Sequence, residues 1–174
     1  NGTVRVEATT GTNVEVTAVK RSRRGNPEDV RITVEQVGGG KGDILVCALW
    51  HANARCDEDG VHSGRDSWLR GRKDNDTQVE FTVRIPAGVH VSATSVNGRV
   101  EIQGATAEVL ARTTNGDVEA NSSGGPVRAT TTNGDIRVRT GALGNERLEY
   151  STVNGTITVE LPAAVNADVD MRTV

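Results

Sequence analysis

The sequence predicts an all-β chain folded as a β-solenoid, on three observations. Asn-Gly recurs at near-constant intervals, an apolar alternation keeps the same phase around each copy, and the composition supplies strand formers with few aromatic residues. The dipeptides are Asn97-Gly98, Asn115-Gly116, Asn133-Gly134 and Asn154-Gly155, spaced by 18, 18 and 21 residues. Hydrophobic residues make up 35% of the 174-residue chain and aromatics 2%, with 20 glycines against 4 prolines, so Val, Ile, Ala and Leu must fill the interior.

Counted from each Asn, positions -6, -4, -2, +3 and +5 repeat a small or apolar residue. The copies read Val91, Ala93, Ser95, Val100, Ile102, then Val109, Ala111, Thr113, Val118, Ala120, then Val127, Ala129, Thr131, Ile136, Val138, and last Leu148, Tyr150, Thr152, Ile157, Val159. Alternation on both sides of a corner describes two period-2 strands facing one interior, and Gly supplies the backbone freedom of the corner. A lone hairpin would show the same local pattern. The return of the unit at constant length with its phase intact is what predicts stacking, because one short coil buries too little to offset its own ordering. The longer last interval, around Gly141 to Glu146, reads as a loop on one edge.

Organisation is read as one domain over 1–174, with irregular strands in 1–48, an insertion in 49–77 and the regular repeats in 78–174. The first part carries Val4/Val6/Ala8, Val14/Val16/Ala18, Val30/Ile32/Val34 and Ile44/Val46/Ala48, and Val79/Phe81/Val83/Ile85 opens the last part. Between Leu49 and Thr77 the alternation fails and Gly, Asp, Asn, Arg and His dominate, which predicts a long surface loop. Cys47 and Cys56 flank its root at a spacing that suits a disulfide, worth about 2–3 kcal/mol in an oxidising compartment.

The run Phe81-Thr-Val-Arg-Ile-Pro-Ala-Gly-Val-His-Val, the segment Ser95-Val-Asn-Gly-Arg-Val-Glu-Ile, two Thr-Thr-Asn-Gly-Asp copies and Thr152-Val-Asn-Gly-Thr-Ile-Thr-Val-Glu-Leu-Pro together resemble a known family. It is the bacterial adhesin-like family DUF4097, the toast-rack domain, and the likeness runs from Val14 to the end. The resemblance implies a β-solenoid on exported or envelope-associated bacterial proteins, and it brings no catalytic residues. The insertion from Leu49 to Thr77 departs from the family's simplest pattern, so no role for it is inherited.

Candidate sites are few. Asp117 and Asp135 follow equivalent corners and should stack about 4.8 Å apart. Paired carboxylates serve glycoside hydrolysis or cation bridging. Arg99 and Thr156 occupy the same position in the flanking copies, however, and Asp after Asn-Gly is ordinary turn chemistry, so the pair reads as a turn ladder. Asp57-Glu58-Asp59-Gly60 lacks the alternating ligands and closing Glu of a calcium loop. His51, His62, Ser63 and Asp66 include the residue types of a hydrolytic triad without a nucleophile elbow. No catalytic residue, metal or cofactor is expected. Trp50 and Trp68, with His51 and His62, form the candidate binding surface, since tryptophan on a pinned loop is a common recognition device. The run Lys20-Arg21-Ser22-Arg23-Arg24 precedes a Gly25-Asn26-Pro27 turn and reads as a solvated loop tip able to touch an acidic polymer or lipid head groups.

A net charge of -3, from 20 basic and 23 acidic residues, argues against nucleic acid as partner. No stretch suits a transmembrane helix or a signal-peptide core. Val169-Asp-Met171-Arg-Thr173-Val matches positions -6, -4 and -2 of a further copy, and Asn1-Gly2-Thr-Val4-Arg-Val6 matches a corner with positions +3 and +5. Either the chain belongs to a longer solenoid or copies stack head to tail into a fibre. The expectation is an exported extracellular or cell-envelope module, adhesive or scaffolding, that binds a protein or glycan. A fibre subunit and a carbohydrate-active enzyme are the alternatives.

Overall fold

The structure is a computed structural model that describes residues 1–37, 42–57, 60–62, 75–141, 147–163 and 166–172. It contains strands, one short 3-10 turn at Pro27–Asp29 and, among the described residues, no α-helix. Two compact units are distinguished: Asn1–Thr17 with Phe81–Val174, and Ala18–Glu80.

In the first unit the chain alternates between two sheets whose stacked strands run parallel. One sheet takes β8 (Val91–Asn97), β10 (Val109–Asn115), β12 (Val127–Thr130) and β14 (Glu149–Ser151), in the order β14-β12-β10-β8. The other takes β9 (Val100–Ala105), β11 (Val118–Ser122), β13 (Ile136–Thr140) and β15 (Ile157–Glu160). Its order is β15-β13-β11-β9-β1-β7-β2, where β1 is Val4–Ala8, β2 Glu15–Arg21 and β7 Gln78–Ile85. Each coil is therefore one strand, an Asn-Gly corner and a second strand, and the next coil lies on it residue for residue. Val100 pairs with Val118, Val118 with Ile136 and Ile136 with Ile157, all in parallel register.

The register follows from the pattern. A slip of one residue would turn every inward side chain outward, so the alternation at -6, -4, -2, +3 and +5 admits a single stacking phase. The predicted interior is observed: Ala93, Ile102, Val109, Ala111, Ala120, Val127, Ala129 and Val138 are buried with Val100, Val118 and Ile136 in one cluster. Ile157 departs from it. It keeps its register but is 40% exposed, because β15 is the edge strand and no described strand covers it.

The Asn1-Gly2 half-motif lies in the stack as a corner, the Gly2 N–H donating to the Asn97 carbonyl at 2.8 Å. β1 lies between β7 and β9, pairing Val4 with Val100 and Val6 with Ile102. The complementary half-motif shows no such placement, since Val169 and Met171 are exposed outside any strand and Thr173 and Val174 lie outside the described residues.

The second unit holds an antiparallel hairpin of β3 (Arg31–Val37) and β4 (Asp43–Leu49). The alternation there gave the strands correctly but not a common interior. Val30 and Ala48 are buried, whereas Val34 is 66% and Ile44 60% exposed on the same face of the hairpin. The segment expected to be a loop carries a second hairpin, β5 (Arg55–Asp57) with β6 (Gly60–His62). Cys47 and Cys56 are joined by a disulfide across 6.4 Å between Cα atoms and pack with Leu49 and Ala54, with Leu45 half-buried beside them. Among the described residues no helix is long and apolar enough to cross a membrane.

Candidate functional site: the corner ladder and the disulfide-held unit

Each Asn-Gly corner is built by bonds to its neighbours in the stack. The Asn115 carboxamide donates from Nδ2 to Asn97 Oδ1 at 2.7 Å, and Asn133 donates to Asn115 at 2.8 Å. Asn154 donates to Asn133, and Asn97 to Asn1, both at 2.7 Å. Five asparagines thus form one file along the stacking direction, the side-chain ladder that in-register parallel strands permit. The glycine N–H groups bond in the opposite sense, Gly98 to Asn115 O at 3.0 Å, Gly116 to Asn133 O and Gly134 to Asn154 O at 2.9 Å.

The residue at -2 completes the corner. Ser95 donates its hydroxyl to the Gly2 carbonyl at 3.0 Å, Thr113 to Gly98 and Thr131 to Gly116 at 2.9 Å, and Thr152 to Gly134 at 3.0 Å. Composition alone presented these residues as small inward fillers. Their hydroxyls in fact satisfy carbonyls that the tight corner would otherwise leave buried and unpaired. The recurrence of Ser or Thr, never Ala or Val, was the signal available.

Glycine is required at the corner because coils approach too closely for a side chain. A Cβ at Gly116 would lie 2.3 Å from the Gly98 carbonyl oxygen, and one at Gly134 would lie 2.1 Å from that of Gly116.

Asp117 and Asp135 do stack, and both are occupied. Asp117 Oδ1 accepts the Asp135 N–H at 3.0 Å and its Oδ2 meets Arg99 at 3.1 Å. Asp135 Oδ1 accepts the Thr156 N–H at 2.9 Å and its Oδ2 takes Arg137 at 2.8 Å. The Thr156 amide holds the Asp135 carboxyl below its ordinary value of 3.8, with the Arg137 charge acting in the same direction. Each carboxylate therefore links one coil to the next. Among the described residues no group of three or more His, Cys, Asp or Glu side chains could hold a metal.

In the second unit Trp50 is half-buried, and its Nε1 donates to the Thr77 carbonyl at 3.0 Å. Its indole is thus fixed from one end. His51 is exposed, with its carbonyl closing a turn onto Ala54 N at 3.0 Å. His62 is exposed too and meets Asp57 Oδ1 at 2.8 Å across the β5–β6 hairpin. Trp68, Ser63, Asp66, Glu58 and Asp59 lie outside the described residues.

The basic run has an internal partner that the sequence did not announce. Asp76 Oδ1 accepts from Arg23 N at 3.1 Å, Arg24 N at 2.8 Å and Ser22 Oγ at 2.9 Å. These donors, the Arg24 amide foremost, hold the Asp76 carboxyl below its ordinary value of 3.8. The carboxylate fills the nest that these backbone amides form.

A file of bonded corners repeated through two parallel sheets defines the class: a β-solenoid repeat protein whose coils are joined by side-chain ladders. The family model for Toastrack DUF4097 matches residues 51–174, and the chain belongs to that family. No curated protein and no solved structure matches the chain.

Proposed function

We propose that the protein is a non-enzymatic binding or scaffolding module of adhesin-like type, working outside the reducing cytosol. One observation carries this reading: the repeated polar side chains of the corners are committed to bonds between coils. An acid, base or nucleophile must keep an atom available to a substrate. Asp117 and Asp135, the carboxylate pair at the corners, instead each hold a backbone amide and an arginine. The disulfide supports an oxidising compartment.

The contact surface in this reading is the disulfide-held unit with Trp50, His51 and His62, for a protein or glycan partner. Labelled protein should bind intact cells or purified wall glycans without changing the glycans' length. The double variant Cys47→Ser/Cys56→Ser should weaken that binding at least tenfold while the circular dichroism of the parallel sheets persists. Cleavage of the glycans, lost in Asp117→Asn/Asp135→Asn, would replace the proposal with an enzymatic one.

A further inference from the structure

The two sheets of the solenoid turn different chemistry outward. On the sheet that holds β1, β7 and β13 the arginines are neutralised where they stand. Arg5 meets Glu101 at 2.7 Å, Arg84 meets Glu15 at 3.5 Å, Arg137 meets Asp135 at 2.8 Å and Arg139 meets Glu160 at 2.6 Å. Each of these charges has its counter-charge on the protein itself.

The sheet of β8, β10, β12 and β14 differs. Its inward hydroxyls, on Ser95, Thr113, Thr131 and Thr152, all donate to corner carbonyls. Its outward ones do not. Among the described residues the hydroxyls of Thr94, Thr114, Thr130 and Thr132 have no hydrogen-bond partner, and all four residues are exposed. They stand in two files, at positions -3 and -1 of the repeat. Neighbours within a file are one rung apart, about 4.8 Å, and neighbours along a strand are two residues apart, about 6.6 Å.

One residue breaks the pattern. Where Thr94, Thr130 and Ser151 stand in the other coils, β10 presents Arg112, which is exposed and pairs in register with Thr94 on one side and Thr130 on the other. Stacking does not call for arginine here, since a hydroxyl residue fills the position in three copies. Among the described residues Arg112 is also the one arginine in the strands of the first unit with no carboxylate partner. The two files contain no acidic residue. The diagonal neighbour Arg128 adds a second positive charge, already engaged by Glu108 at 3.4 Å. The outcome is a hydroxyl-lined sheet face with one uncompensated guanidinium set within it.

We propose that this face binds a linear acidic polysaccharide, with Arg112 taking the carboxylate of one sugar and the hydroxyls of Thr94, Thr114 and Thr130 bonding the sugar hydroxyls around it. A guanidinium presents paired N–H donors that match the two oxygens of a carboxylate. Threonine hydroxyls donate and accept, as sugar hydroxyls do. Val96, 56% exposed in the -1 file, offers apolar contact to the C–H groups of a pyranose ring. The charge pattern selects against other polyanions. Nucleic acids and anionic membranes are held by several cations acting together, whereas here a single free cation stands among neutral groups. The face belongs to the solenoid unit and does not depend on the reading of Trp50, His51 and His62 as a contact surface.

Titration calorimetry of the full chain at low salt tests this with two probes: alginate oligomers, whose sugars each carry a carboxylate, and dextran oligomers, which carry none. The expected result is binding of alginate and not of dextran. Arg112→Thr restores the hydroxyl file and should weaken alginate binding about thirtyfold, the loss of a charge-assisted pair. Thr130→Val keeps the shape, removes one hydroxyl and should weaken it about fivefold. Arg139→Thr, on the other sheet, and Cys47→Ser/Cys56→Ser, in the other unit, should leave the affinity within about twofold of the unmodified chain, well inside the effect of one lost hydrogen bond. Absence of alginate binding, or an Arg112→Thr variant that binds alginate as tightly as the unmodified chain, would overturn the proposal. Poly-glutamate bound as tightly as alginate would overturn it too, because charge alone would then be what the face reads.

Discussion

The tightest point of the structure is the approach of one corner glycine to the next, and a single methyl group probes it. In Gly116→Ala the new Cβ would meet the Gly98 oxygen at 2.3 Å, the Gly98 carbon at 2.6 Å and the Arg99 nitrogen at 3.2 Å, all backbone atoms. Ordinary contact begins near 3.4 Å, so the two coils must part locally by about 1 Å. Three bonds span that gap: Thr113 to Gly98 O at 2.9 Å, Asn115 to Asn97 Oδ1 at 2.7 Å and Gly98 N to Asn115 O at 3.0 Å. Separation by about 1 Å takes each beyond hydrogen-bonding range, at about 1 kcal/mol apiece. With the strain of overpacking, of about 1–3 kcal/mol, the variant should lose about 4–6 kcal/mol, a large share of a typical domain's stability. Gly88→Ala is the control, because its φ is +82° but nothing lies within 4 Å of the added Cβ. It should cost only the left-handed backbone penalty of about 1–2 kcal/mol. Urea unfolding followed by circular dichroism measures both. A Gly116→Ala variant no less stable than Gly88→Ala would refute the claim that glycine is needed for close approach of coils.

Thr131→Val keeps the shape of a buried side chain and removes the donor to the Gly116 carbonyl, and a loss of about 1–3 kcal/mol in the same assay is expected. Val118→Ala should cost about 2–3 kcal/mol and Ile157→Ala under about 1 kcal/mol, since the first side chain is fully buried and the second is 40% exposed. Reducing the Cys47–Cys56 bridge should destabilise its unit by about 2–3 kcal/mol, read as an earlier transition in Trp fluorescence. Asp135, depressed by its Thr156 and Arg137 contacts, favours the fold above its ordinary value of 3.8, and that contribution fades as pH falls below it. Asp135→Asn should accordingly flatten the acid limb of the stability profile while changing little at higher acidity.

The corners and the inward phase were legible because two independent periods, the dipeptide spacing and the alternation, agreed in every copy. The Asn1-Gly2 half-motif marked Val4 and Val6 as inward positions, whereas their place beside Val100 and Ile102 came from the structure. What the pattern could not express was chemistry at constant polarity. Thr113 and Thr131 fit an inward position equally well as fillers or as donors, and only the 2.9 Å approach to the glycine carbonyls distinguishes the two. Three-residue strands such as Arg55–Asp57 and Gly60–His62 are too short to show a period, so the hairpin they form was hidden within an apparent loop. Val34 and Ile44 alternate correctly yet are exposed, because alternation identifies a face and not what covers it. The asparagine file was foreshadowed by its spacing, whereas the occupation of both aspartates by amides and arginines depended on coordinates.

Methyl-to-methyl nuclear Overhauser contacts test the stacking itself. With Val and Ile methyls labelled, Val118 should show cross-peaks to both Val100 and Ile136, residues 18 positions away on either side and paired with it in register. Val118 methyls in contact only with residues close in sequence, or facing solvent, would contradict the solenoid.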